Sequence, residues 1–375
     1  MKKIRYTLAA FMLGCISVFA GNEPQTKTTF SIVSLNVDGL PGRVAFLPVN
    51  TEGPMSIGSE RISKYLADRD CDILCLQENF NYRWEIWSHL FAKYKHDEWS
   101  GGITFEDNEI DIAHLQNLKF KCDGLNMLCH NSVQSDRYER VPWQQNFGKF
   151  SHDFDDIITK GFRRHELTLS DGIKIVVYNM HMDASSERDE QKGNDGKDRE
   201  ARISQWKQLR DHIMERLDDR PVIIAGDMNS YYHRDDFKKE FIDAITATGR
   251  ATVSDAWIEK CNNGVYPEMG SEPLACETLD KALYINPTDG NSLELVNLTI
   301  DRCNYLHNGQ PLGDHYPLIA TFRYISYYDQ GATRIKQTAA DANGATPEAY
   351  DLQGRPVDAT YKGVAVTEQG KFFNK

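Results

Sequence analysis

With 375 residues, 40% of them hydrophobic and 26% charged, the chain has the composition of a globular protein with a full core. It is long enough for one large domain or two ordinary ones. Its net charge of −12 argues against general attraction to the phosphate backbone of a nucleic acid, although a locally cationic site remains compatible with it.

Lys2, Lys3 and Arg5 precede an apolar run from Tyr6 to Ala20, which ends on Val18-Phe19-Ala20. Residues 1–20 therefore read as an export signal peptide. The run is short for a transmembrane anchor, and no other segment is apolar for long enough to span a bilayer. Cys15, after Leu13-Gly14, hints at a lipoprotein signal, but the apolar run continues past it, which favours plain export. Cleavage removes three positive charges and no acid, taking the net charge from −12 to −15. The mature protein is expected to be secreted, periplasmic or at the cell surface, where disulfides form. Spacing suggests the pairs Cys122–Cys129 and Cys261–Cys276. Cys71 and Cys75, in or beside an apolar strand, read as core residues.

Along the rest of the chain, β-rich apolar segments alternate with helical stripes. Strands are expected at Phe30–Leu35, Ile73–Leu76, Ile173–Tyr178, Val222–Ala225, Ala282–Ile285, Leu293–Leu298 and Tyr316–Tyr324. Helices are expected at 59–69, marked by Ile62 and Leu66, and around Trp84, Trp87, Leu90, Phe91 and Tyr94. The clearest stripe is Ile203, Trp206, Leu209, Ile213 and Leu217, and a further helix covers about 235–248. Between His181 and that clearest helix, Ala184–Glu200 is polar and charged and reads as a solvated loop. Strands mixed with helices on this scale imply an α/β layered domain. Several strands are separated by turns alone, so the sheets should be mixed. After Tyr328 the composition shifts to a linker at 329–348. Residues 349–375 then offer short β segments that resemble the C-terminal sorting or attachment tails of secreted Gram-negative proteins.

Polar groups recur where these strands end. Phe30–Leu35 runs into Asn36, and Ile73–Leu76 into Gln77-Glu78. Ile173–Tyr178 runs into Asn179-Met180-His181, and Val222–Ala225 into Asp227 and Asn229. Asp280 precedes Ala282–Ile285, and Asp314-His315 precede the last strand. If the last two of these strands run antiparallel to the others, all of these groups share one rim. Singly, each has an ordinary explanation as a turn residue, a surface ion pair, a satisfied histidine or a helix cap. Together at corresponding strand ends they point to chemistry.

"SLNVDGLP", "LCLQENF", "VYNMHMDA", "IIAGDMNS" and "GDHYPLIATF" resemble, in order, the signature blocks of the endonuclease/exonuclease/phosphatase superfamily. The resemblance covers 28–325, with Gly313 where many members carry Ser. It implies a four-layer α/β/β/α sandwich of two mixed sheets, DNase I-like, followed by the short C-terminal β tail. It also implies metal-dependent phosphoester hydrolysis. Such a site uses a hard cation to offset phosphate charge. Glu78 suits magnesium, with manganese or cobalt as alternatives, and Asn36 and Asp314 complete the expected metal set. His315 is expected to take a proton from the attacking water, and Asp314 to orient His315 or assist at the metal. His181 is expected to donate to a phosphate oxygen or the leaving group, and Asp280 to hold His181 in its tautomer. Asp227 is expected to position the nucleophile. Asn229, and Asn36 in a second role, would bind phosphate.

Further segments resemble the neutral, magnesium-dependent sphingomyelinase branch. They are Asn36 followed by Gly39-Leu40-Pro41, "FDDIITKGF" with Lys160, "CDGLNMLCHNSV", and Arg202-x-x-Gln205 on the Trp206 helix. Lys160 is either a solvated lysine or a cation near the phosphate, paired with Asp155 or Asp156 in one state. Trp143 and Phe147 either pack or touch a membrane interface, packing being favoured. The expected enzyme is a monomer that acts on a sphingolipid surface rather than on nucleic acid. A DNase-like nuclease is the alternative. A non-catalytic surface protein is disfavoured, because every expected catalytic residue type is present.

Overall fold

The computed structural model describes residues 28–327 except 45–46, 104–119, 149–154, 156, 185–194, 235–236 and 273, together with 349–350, 356–357, 363–367 and 370–374. The expected signal peptide and linker lie outside these residues. In chain order the strands of the two large sheets are β1 (Thr29–Asn36), β2 (Ile73–Gln77), β3 (Tyr94–His96), β4 (Asn126–His130), β5 (Gln134–Pro142), β6 (Gly161–Thr168), β7 (Lys174–His181), β8 (Val222–Asp227), β9 (Ala251–Asp255), β10 (Asp280–Pro287), β11 (Ser292–Ile300) and β12 (Leu318–Ile325). The principal helices are α1 (Met55–Arg69), α2 (Arg83–Trp87) and α3 (Asp195–Arg216).

One sheet runs β11-β12-β1-β2-β4-β3 and the other β9-β10-β8-β7-β6-β5. Each is mixed. β1 pairs parallel with β2 and antiparallel with β12. β8 pairs parallel with β7 and antiparallel with β10. This is the direction reversal on which a common rim depends. The four layers follow from alternation along the strands. Ile32, Ile73, Cys75, Val177, Ile223, Ala225 and Phe322 face the space between the sheets. Their neighbours Val33, Leu35, Leu74 and Leu76 point the other way, onto Ile62 and Leu66 of α1. On the far side Tyr178, Ile224 and Leu283 meet Trp206, Leu209 and Ile213 of α3, with Phe237, Phe241 and Ile245. The four short strands beyond 348 pair antiparallel as the expected tail.

Some expectations need correction. The helix around Trp84 stops at Trp87, because the Ser88 hydroxyl turns back onto the Glu85 carbonyl (2.7 Å), and Tyr94 begins β3 instead. The polar segment Ala184–Glu200 is not all loop. From Asp195 it is the first part of α3, with Asp198 buried. Neither expected disulfide is formed among the described residues. Cys122 packs with Phe80 and Ile103, whereas Cys129 lies between the sheets beside Met127, so the two thiols belong to different clusters. Cys261 and Cys276 are exposed and line one recess without bonding.

One polar contact crosses the space between the sheets directly behind the rim. Gln77 at the end of β2 donates to Asn179 Oδ1 on β7 (2.7 Å). Asn179 donates in turn to the carbonyls of Leu76 (3.0 Å) and Asn126 (2.9 Å). Both side chains are buried, so losing one leaves the partners unpaired in an apolar layer. Asn179→Leu is expected to cost about 3 kcal/mol, read from the midpoint of urea unfolding.

Candidate active site

Register places the first group of residues. β8 lies between β7 and β10, with Asp227 opposite His181 on one side and Asp280 on the other. Three polar side chains therefore stand abreast at one sheet edge, with the carboxylate of Asp227 in the middle. Asn36 ends β1 of the opposite sheet. Its amide donates to Asp227 Oδ2 (3.1 Å) and to Glu78 Oε1 (2.9 Å), while its oxygen accepts from the Asp38 amide (3.0 Å). One side chain thus ties the two sheets together at the site. Asn229 sits in the left-handed region (φ 47), which Asn tolerates. From there its backbone N–H reaches Asp227 Oδ1 (3.1 Å), and its side chain donates to the Met182 carbonyl (3.0 Å).

His315 arrives from the loop before β12. Its Nδ1 lies 2.6 Å from Asp280 Oδ2, and its Nε2 lies 3.7 Å from Asp227 Oδ2. This corrects one expected role: Asp280 orients His315, not His181. Asp227 stands between Asp280 and His181, so Asp280 has no path to that ring. His181 Nε2 instead faces Asp227 (3.5 Å) and Glu78 (4.0 Å), and its buried Nδ1 has no partner. The two imidazoles are poised oppositely. Burial, aided by Lys160 and His315, pushes His181 well below the ordinary value and keeps it neutral. Burial also opposes charge on His315, but Asp280 and Asp227 outweigh it and hold the ring protonated well above the ordinary value. Asp227 is buried, yet protonated His315, with the Asn36 hydrogen bond, keeps its pKa low and the group ionised.

A second acidic group adjoins this one. Burial, with Asp314 adding to it, lifts Glu78 to about 7 against the pull of Lys160 and Asn36. Burial together with Asp314 and Glu78 lifts Asp38 to about 7, although Asn50 donates to its carboxylate. Carboxylates crowded until they resist ionisation are what a bound cation would relieve. Among the described residues no group of three or more His, Cys, Asp or Glu is arranged to hold a metal ion by itself. A divalent cation such as magnesium keeps several waters and can bind through one or two carboxylates and a substrate phosphate. Glu78 fits this requirement, with Asp314 beside it. The Asn36 oxygen is already engaged by the Asp38 amide and has one lone pair left for a metal shell.

Glu78 holds an unusual backbone. Its φ of 53 is rare for a residue that is neither Gly, Asn nor Asp. Gly39 packs against it, with its N–H on the Glu78 carbonyl (3.1 Å). A Cβ on Gly39 would lie 2.4 Å from that carbonyl oxygen. Gly39→Ala is therefore expected to displace Glu78. Turnover should fall by about a hundredfold, and the magnesium needed for half-maximal rate should rise, as a metal titration of the rate would measure.

Lys160 is not a solvated lysine. It is 4% exposed, pairs with Asp155 and donates to the Met182 carbonyl (3.3 Å). Burial opposes its charge, but Asp155 and Glu78 keep it protonated. Trp143 packs rather than meeting solvent. It is 5% exposed, and its indole N–H donates to the His181 carbonyl (2.7 Å). Gln205 of α3 receives the Asp183 amide (3.0 Å), fixing the chain just past His181. The large exposed aromatics lie elsewhere and include Trp84 and Phe91. Asp38 joins the site although sequence reasoning did not single it out. Its signal was its place two residues after Asn36.

Residues 33–243 match the Endonuclease/Exonuclease/phosphatase family. No curated protein sequence matches. Among solved structures, Danio rerio TDP2 complexed with a single-strand DNA product is 17% identical, with a TM-score of 0.52 over 79% of this chain and 99% of that one. Truncated Caenorhabditis elegans TDP2 is also 17% identical, with a TM-score of 0.51 over 79% of this chain and 98% of that one. A double mutant of Staphylococcus aureus beta toxin with bound magnesium ions is 15% identical, with a TM-score of 0.50 over 78% and 99%. These likenesses establish the shared fold of two packed mixed sheets. With that fold and the family match over more than half its length, the chain belongs to the endonuclease/exonuclease/phosphatase family of divalent-metal-dependent phosphoesterases.

Proposed function

We propose that the protein is a secreted phosphodiesterase that hydrolyses sphingomyelin or a related sphingophospholipid, releasing ceramide and the headgroup phosphate. The observation that carries the reaction type is the Asp280–His315 pair set 3.7 Å from ionised Asp227, on the same rim as Glu78 and neutral His181. A divalent cation held at Glu78 would offset the phosphate charge and favour loss of the His315 proton. His315 Nε2, once deprotonated, takes a proton from the attacking water, and Asp280 steadies the imidazolium that results. Asp227 aligns the water. His181, neutral and buried, donates to the leaving group or to a phosphate oxygen. Asn229 and Lys160 stand at the phosphate's side of the rim.

The choice of a lipid over DNA rests on the acidic chain and on the sphingomyelinase-like segments, among them the one that supplies buried Lys160. The test uses the mature protein, with magnesium or with chelator, on sphingomyelin vesicles and on plasmid DNA. Magnesium-dependent release of ceramide without nicking of DNA is expected. Nicking without lipid cleavage would replace this function with that of a nuclease.

A further inference from the structure

β7 ends at His181, and the chain just beyond it is held on several sides. Each backbone polar group from the His181 carbonyl to the Ala184 amide has a partner. The Trp143 indole donates to the His181 carbonyl (2.7 Å). The Met182 amide donates to the Asp227 carbonyl (3.0 Å), and the Met182 carbonyl accepts from Asn229 (3.0 Å) and Lys160 (3.3 Å). The Asp183 amide donates to Gln205 (3.0 Å), and the Asp183 carbonyl accepts from Arg202 (3.2 Å). The Ala184 amide donates to Asp155 (2.6 Å). A chain leaving a sheet commonly turns such groups to water. Here buried residues take them.

The His181 ring, by contrast, is not held by its own nitrogens. Nδ1 is buried without a partner. Nε2 lies 3.5 Å from Asp227 and 4.0 Å from Glu78, too far for a good hydrogen bond. A catalytic imidazole often has its second nitrogen fixed by a carboxylate or carbonyl. His315 follows that pattern through Asp280, and His181 does not. Its aim therefore depends on its backbone and its packing.

Two residues join the surroundings to that backbone. The register of β6 with β7 ends at Phe162 opposite Met180, and the Trp143 indole meets the carbonyl of the next residue. The Trp143 ring packs on Phe162 (centroids 5.1 Å), and its own amide donates to the Lys160 carbonyl (3.0 Å), so the indole is fixed at both ends. Gln205 is fully buried on α3. Its oxygen accepts from Asp183, while its amide donates to the Gln145 carbonyl (2.8 Å) and to Asn146 Oδ1 (3.1 Å), in the segment that follows Trp143. Resting on the hydrolytic role given to His181 above, we propose that Trp143 and Gln205 are positioning residues that clamp the His181 backbone and so keep its unanchored ring aimed at the substrate. Both act through His181 and not on the substrate itself.

Trp143→Phe and Gln205→Met each remove one clamp with little change of shape. Each is made in the wild type and in a His181→Gln background. Rates are measured with magnesium on sphingomyelin micelles and on bis(4-nitrophenyl) phosphate, a generic diester that keeps the comparison readable if the lipid is not cleaved. In the wild-type background each variant is expected to lower kcat about tenfold with KM nearly unchanged, the cost of slightly misplacing a reacting group. In the His181→Gln background, assayed at raised enzyme concentration, each should lower the residual kcat less than about twofold, because a clamp has no effect once the group it aims is gone. A residue that only supports the fold would lower both rates alike. Either variant decides the question if the other fails to fold, which its urea midpoint shows. Equal losses in both backgrounds, or wild-type kcat in the single variants, overturn the positioning role and leave the part of His181 in hydrolysis standing. A His181→Gln enzyme as fast as wild type overturns that part. Cleavage of the diester without cleavage of sphingomyelin overturns only the choice of lipid.

Discussion

Glu78→Gln is expected to remove nearly all turnover, by about a thousandfold or more, because the group best placed to hold the cation is lost. The same variant should change stability in the opposite sense. An acid whose folded pKa lies above its unfolded value binds its proton more tightly when folded. The fold is then favoured at low pH and loses that advantage as pH rises. For Glu78 the window runs from its ordinary 4.5 to about 7. Above it, ionised Glu78 costs the metal-free protein about 3 kcal/mol. Metal-free Glu78→Gln should therefore melt higher than wild type at pH 8 and about equally at pH 4. Magnesium should raise the wild-type melting temperature most at pH 8 and barely move the variant. Equal magnesium stabilisation of both proteins would mean that the cation is held elsewhere.

His315→Ala should lower kcat by about a thousandfold through loss of the base, and Asp280→Asn by about a hundredfold. The informative quantity is pH. His315 must lose a proton to act, and Asp280 is the strongest influence keeping that proton on. The rate should thus rise with pH along an acid limb set by His315. In Asp280→Asn that limb should move to lower pH, because the imidazolium loses its main anionic partner. Had Asp280 served His181 instead, His315 would keep its proton and the acid limb would stay in place. A pH–rate profile of the two proteins on one substrate distinguishes the pairings.

The candidate site's rim was legible in the sequence because it sits where strands end. An apolar run that stops on Asn36, Glu78, His181 or Asp227 advertises both the strand and the group. The partner of Asp280 was not legible, since strand order decides it and strand order is a property of the assembled sheets. Strands without an apolar run also escaped notice. β5 is an edge strand, mostly exposed and rich in charge. β6 reads Gly-Phe-Arg-Arg-His-Glu-Leu-Thr, yet Arg163 is 3% exposed. Its guanidinium is buried because Asp123 meets it with two bonds of 2.9 Å and Asp97 with one of 2.8 Å. Those acids lie 40 and 66 residues away in the chain, beyond the reach of any local pattern.

The placement of β12 bears on when the protein can first act. This last strand of the domain is not an edge. It lies between β11 and β1, so the earliest strand to leave the ribosome waits for one of the last before it has a neighbour on that side. His315 enters with the segment that leads into β12. Phosphoester-cleaving capacity would then arise only after nearly the whole domain has been made and, if it is exported, has crossed the membrane. A chain interrupted before residue 315 would carry Glu78, His181 and Asp227 but lack the base. The cell that makes the enzyme would be shielded from it by the order of its own strands.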